Sequence, residues 1–113
     1  MSAKKQTPKK LQKIRWCIVG NGPWGLWFGE VRAKDADVIK SKAVRLYRAR
    51  NIRYWYGKSG GITSLAAHGL CGPRAGESRI GTEIESTLLM DVKAIHECSQ
   101  EAANTFLAAK QNA

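Results

Sequence analysis

Length, composition and charge set the first limits on this chain of 113 residues. A chain of this size folds as one small domain that buries roughly two thirds of its unfolded surface, which argues against a two-domain enzyme. The formal net charge is +10 and is uneven, because residues 1–15 hold six cations and no acid, whereas residues 77–113 hold six acids and three cations. A basic half of this kind attracts phosphate-rich partners.

The cysteines and the apolar runs indicate a protein of the cytoplasm. Cys17, Cys71 and Cys98 form no Cys-x-x-Cys pair and no metal-ligand spacing, so we expect three buried, reduced thiols. No apolar run approaches the roughly 20 residues of a membrane span. Residues 1–13 are basic and lack the apolar stretch of a secretory signal, which predicts a disordered basic arm ahead of a single domain over residues 14–113.

The first half of the domain is predicted to be strand-rich. Residues 13–19 form a first strand, residues 21–23 a turn, residues 24–32 a second strand and residues 34–37 a polar turn. Val44 and Leu46 share one parity with Ile52, Tyr54 and Tyr56. Arg48 and Arg50 fall on the same face, so either a turn near residues 49–51 splits two strands or one long strand leaves the core midway.

The second half combines loops, a strand and two helices. The predicted elements are a glycine-rich loop over residues 57–61, a short helix over residues 63–68 with Gly69 as its stop, an irregular loop over residues 71–82, and a strand over residues 87–95. Ser99 caps a final amphipathic helix. The sum is a small antiparallel, strand-rich, partly barrel-like α+β domain with a short middle helix and a C-terminal helix.

The segment Gly20-Asn21-Gly22-Pro23-Trp24-Gly25 matches the G-x-G-x-x-G pattern of dinucleotide-binding turns. Its context contradicts that function, because the following residues alternate like a strand and no acid follows a second strand. A hairpin turn is therefore predicted here. His68 and His96 have no identifiable partner, and no activated nucleophile or paired carboxylate can be placed, so we expect a non-enzymatic protein without cofactor or metal.

The strongest functional signal is a basic stretch between Val38 and Gly76 that contains eight cations, no acid and the cluster Tyr54-Trp55-Tyr56. Guanidinium groups and rings together recognise bases and phosphates. The glycine-rich loop either contacts phosphate through its backbone N–H groups or needs glycine only for its own shape. The candidate ligand-binding residues of this stretch are Arg50, Arg53, Trp55, Lys58, Gly60 and Gly61.

A second candidate lies in the following loop, where Arg74, Ser78 and Arg79 flank Glu77. Two guanidinium groups on one loop can clamp a phosphate in bidentate fashion. They can equally pair with neighbouring acids, namely Glu77, Glu83 or Glu85.

The arrangement Val44-x-Leu46-x-x-Ala49-Arg50-x-Ile52-x-Tyr54-Trp55-x-Gly57, followed by Ser64-Leu65 and Gly69, resembles an uncharacterised family of small proteins of tailed bacteriophages. The resemblance covers residues 24–98. The loops at residues 60–61 and 74–79 depart from that family, being richer in glycine and in charge, and no active residues carry over. The resemblance implies a phage-encoded protein that acts in a bacterial cell or in a virion.

Two functions follow from these observations. The first is a non-enzymatic phage-encoded protein of the host cytoplasm that binds an anionic ligand, either nucleic acid or a nucleotide, in host takeover or anti-defence. The alternative is a virion structural protein that uses its tryptophans and basic arm at subunit or DNA interfaces. Both functions are compatible with a homo-oligomer, and neither involves a membrane. The virion function adds other virion proteins as partners.

Overall fold

The computed structural model describes residues 14–22, 25–56 and 61–110. The strands are β1 (Arg15–Asn21), β2 (Gly25–Val31), β3 (Ala43–Tyr54), β4 (Arg79–Ile80), β5 (Ile84–Met90) and β6 (Val92–Glu97). The helices are α1 (Asp35–Ser41), α2 (Ile62–His68) and α3 (Gln100–Ala108), and a 3-10 turn covers Ala75–Glu77. The predicted basic arm and most of the glycine-rich loop lie outside the described residues.

The strands form one antiparallel sheet in the order β4-β3-β2-β1-β6, and β5 also pairs with β3. The strand-rich α+β prediction with a C-terminal helix is confirmed, but the sheet is not closed into a barrel. β1 and β2 form the predicted hairpin, with Asn21 opposite Gly25. The G-x-G-x-x-G match therefore leads into a strand and not into the helix that a dinucleotide turn requires.

Three predicted elements differ from the structure. The irregular loop predicted over residues 71–82 contains the 3-10 turn and β4. The polar turn over residues 34–37 is the beginning of α1, which is held by the buried Val38. The single strand over residues 87–95 is two strands, because Asp91 adopts a φ of 58° between them. β5 pairs with β3 and β6 pairs with β1, so this one-residue break sends the chain to two different neighbours in the sheet.

Each face of the sheet carries a cluster of buried side chains. On one face Phe28 stacks on Trp16 and on Phe106 of α3, with ring centroids 5.4 and 4.7 Å apart. The other face has its own cluster of buried side chains around Leu46. None of the helices in the described ranges is long and apolar enough to span a membrane.

β3 is one strand of 12 residues with two interruptions of its pairing. The first is a bulge at Arg48, whose φ is 52°, opposite Gly29 of β2. A Cβ atom at Gly29 would lie 2.6 Å from Leu46 Cγ, so glycine permits the close approach of the two strands there. The second interruption lies between Ile52 and Tyr54. Each bulge changes which face the following side chains reach.

The end of α2 is fixed against α3 by a second close approach. Gly69 has a φ of 74°, and a Cβ atom there would lie 2.2 Å from Thr105 Oγ1. Ser99 caps α3 as predicted, since its Oγ accepts a hydrogen bond from the Ala102 N–H at 3.0 Å. The same hydroxyl donates to the Ala67 carbonyl, which joins the two helices.

Candidate functional site

The bulge near the end of β3 brings two exposed arginines together. Tyr54 pairs with Arg79 of β4, while the preceding pair joins Ile52 to Ile80. Because two residues of a bulged strand oppose one residue of its partner, Arg53 and Tyr54 both lie opposite Arg79. All three residues are exposed, so a bulge at a short edge strand presents them to solvent.

A ladder of contacts extends this group along the surface. The Tyr54 and Tyr56 rings meet edge to face, with centroids 5.7 Å apart at an interplanar angle of 74°. The Arg74 guanidinium lies 4.1 Å from the centroid of the Tyr56 ring, and its Nη2 is 2.8 Å from Glu77 Oε1. We call these residues the arginine–tyrosine surface: Arg53, Tyr54, Tyr56, Arg74 and Arg79.

The arginines of this surface differ in whether a described acid already binds them. Arg74 donates to the Glu77 carboxylate, which raises the pKa of Arg74 and lowers the pKa of Glu77. Both groups are exposed, so water screens the pair and it contributes little to stability. Within the described ranges Arg53 and Arg79 have neither an ion pair nor a side-chain hydrogen bond. Two guanidinium groups are thus available for an anion.

The loop that carries Arg74 is attached to the segment after β3 through Ser78, one of the residues predicted to bind the ligand. The Tyr56 N–H donates to Ser78 Oγ at 2.8 Å, and Ser78 is only 4% exposed. Ser78 therefore anchors the loop from inside, and the prediction that it contacts a ligand is not supported. Behind it, a groove of about 450 Å³ separates the 3-10 turn from the end of α3.

Arg50 also lies inside the protein, although the sequence favours an exposed ligand contact. It is 4% exposed, and its Nη1 donates to the carbonyls of Phe106 and Ala109 at 2.6 and 2.8 Å. Its Nε donates to the Gly81 carbonyl at 2.8 Å. Burial lowers the pKa of Arg50. A buried cation that donates to carbonyls at and just after the end of α3 is a structural cap, so Arg50 does not belong to the exposed site.

The indole of Trp55 was expected to be the stacking ring, and the structure places it differently. Trp55 is half-buried and packs against the cluster that contains Ile52 and Leu65. Its Nε1 is buried and finds no acceptor in the part of the chain that is described. Tyr54 is 45% exposed instead. Strict alternation along β3 places Tyr54 on the buried face of Ile52, and the bulge between Ile52 and Tyr54 breaks that alternation.

A family model described as "Domain of unknown function (DUF6948)" matches residues 14–106. The chain belongs to this family. No curated protein and no solved structure matches the chain.

The DUF6948 match spans all the strands, the whole arginine–tyrosine surface and the Phe106 carbonyl that Arg50 caps. Of the remaining predicted site residues, Gly61 is exposed just ahead of α2, and Lys58 and Gly60 lie outside the described residues. The sequence signal for the missed tyrosines is the density of rings and arginines at residues 53–56.

The cysteines partly match the prediction of buried, inert thiols. Cys17 is buried, but Cys71 and Cys98 are only half-buried, and all three are free. Burial raises the pKa of Cys17 to about 11 and that of Cys98 to about 12. Both thiols therefore stay protonated at neutral pH.

Proposed function

We propose that this protein is a non-enzymatic binding protein that holds nucleic acid by its phosphates on the arginine–tyrosine surface. The observation that carries the proposal is the pair Arg53 and Arg79, two exposed arginines at the bulge between β3 and β4 with no acid bound to either in the described structure. The nearby acid, Glu77, is already neutralised by Arg74. An anion that approaches this surface therefore meets uncompensated positive charge.

Guanidinium groups suit this role because their planar forks bind phosphate oxygens in a bidentate manner and remain charged at any physiological pH. The net charge of +10 adds a long-range attraction that speeds the encounter with a polyanion. The neighbouring rings offer contact area beside the charges, as in surfaces that bind nucleic acid. The phage origin stays a prediction from the sequence resemblance.

The geometry favours this function over that of a virion subunit joined through its tryptophans. Trp16 is 6% exposed and belongs to the core. Trp27 and Trp55 are half-buried, and Trp24 lies outside the described residues. Among the tryptophans that the structure describes, none is exposed in the way that a subunit anchor requires.

Salt dependence tests the proposed function. We expect a fluorescein-labelled DNA oligonucleotide to bind, as measured by fluorescence anisotropy, and to lose affinity steeply as salt is raised. Two to three phosphate contacts predict a loss of roughly 5- to 20-fold between about 50 and about 200 mM NaCl. Absorbance at 260 nm of protein purified at low and at high salt serves as the companion measurement.

Two results would contradict the proposal. One is the absence of oligonucleotide binding at low salt. The other is 260 nm absorbance that stays with the protein at high salt and comes from a mononucleotide, which would assign the surface to a small nucleotide ligand.

A further inference from the structure

Among the rings that the structure describes, Tyr54 is the exposed one beside Arg53 and Arg79. It is 45% exposed, whereas Tyr47 and Tyr56, the other tyrosines of the chain, are half-buried. An exposed ring next to two cations that no described acid binds offers a flat apolar face beside positive charge, which suits a ligand with a flat face of its own. A phosphate group has no flat face that could stack on the Tyr54 ring.

The surroundings of Tyr54 hold its ring in place. The edge-to-face contact with Tyr56 limits its motion, and Tyr56 is itself covered by Arg74, which Glu77 fixes by hydrogen bonds at 2.8 to 3.2 Å. The backbone of Tyr56 is fixed by Ser78. A ring that is already ordered loses little conformational entropy when it binds, which increases the affinity gained from stacking.

We infer that the nucleic acid bound here is single-stranded and that an unpaired base stacks on Tyr54 while adjacent phosphates lie at Arg53 and Arg79. This inference rests on the proposed function. In a duplex the faces of the bases are stacked on one another, and a side chain on a sheet reaches only edges and backbone. In a single strand the faces are free, and aromatic side chains are the usual platforms for them.

The experiment compares a labelled dT oligonucleotide with a duplex of equal length, using the wild-type protein and the variants Tyr54→Ala and Tyr54→Phe. We expect the wild type to bind the single strand at least tenfold more tightly than the duplex. Tyr54→Ala loses about 5- to 160-fold of the single-strand affinity, the range for one base stacked on a ring. Tyr54→Phe keeps the ring and retains the affinity to within about threefold.

The outcomes separate the inference from the proposed function. If the duplex binds as tightly as the single strand and Tyr54→Ala behaves like Tyr54→Phe, the inference is overturned while salt-dependent binding still supports the proposed function. If neither nucleic acid binds at low salt, both are overturned. Thermal unfolding of each variant, followed by circular dichroism, confirms that Tyr54→Ala is folded under the conditions of the titration.

Discussion

Replacing Arg50 by Met is expected to lower the free energy of unfolding by about 3 kcal/mol, since hydrogen bonds from a charged group contribute about 1.5 to 3 kcal/mol each and do not simply add. The variant loses the hydrogen bonds to the carbonyls of Gly81, Phe106 and Ala109. Methionine fills a similar volume but leaves these acceptors without their donor, and the end of α3 loses its cation. Urea unfolding followed by tryptophan fluorescence measures the change.

A control on the same strand separates burial from charge. Arg45 is exposed and donates a single side-chain hydrogen bond, to Ser86 Oγ. We expect Arg45→Met to change the free energy of unfolding by less than about 0.5 kcal/mol. Arg50→Lys should fall between the two, because an ammonium lacks the planar fork that reaches several acceptors. Equal stability of Arg50→Met and Arg45→Met would show that Arg50 is not the structural cap described above.

Removal of both available arginines is expected to weaken oligonucleotide binding. The double variant Arg53→Ala/Arg79→Ala is expected to lose at least about tenfold of the oligonucleotide affinity, and the slope of log affinity against log salt should fall by roughly one for each phosphate contact removed. The reason is that both guanidinium groups are exposed and have no partner among the described residues, so they are the groups free to replace counterions. Anisotropy titrations at several salt concentrations provide both quantities.

A charge-matched double variant decides whether this loss is local. Lys40 of α1 and Arg45 of β3 are exposed and lie away from the arginine–tyrosine surface along the chain. Lys40→Ala/Arg45→Ala removes the same charge, and we expect it to weaken binding by less than about threefold through long-range attraction alone. Equal losses in the two double variants would mean that net charge, and not this surface, determines the affinity.

Local signals in the sequence account for much of the fold. Period-2 alternation and the Asn21-Gly22 turn predict the β1–β2 hairpin, and the structure confirms it. Ser99 and the spacing of Ala102, Ala103 and Phe106 predict α3, whose inner face holds these same residues. These elements are decided by residues close together in the chain, which is why the pattern is sufficient.

The features that position the site depend on contacts between distant residues, and the sequence does not reveal them. The bulge at Arg48 requires Gly29 of another strand, and the second bulge requires β4. The bulge between Ile52 and Tyr54 breaks the alternation, so Tyr54 is exposed although it has the parity of the buried Ile52. The sequence predicts Arg50 to be a surface cation. The carbonyls that bind it belong to Phe106 and Ala109, more than 50 positions later in the chain, so no local pattern reveals the contact.

Chemical-shift mapping tests the central claim most directly. In a ¹⁵N-labelled sample titrated with an unlabelled dT oligonucleotide, the backbone amide shifts that change most are predicted to cluster at residues 53–56 and 74–79, the two segments that form the arginine–tyrosine surface. Amide shift changes that concentrate in α1 or in β5, while residues 53–56 and 74–79 stay unchanged, would contradict the account.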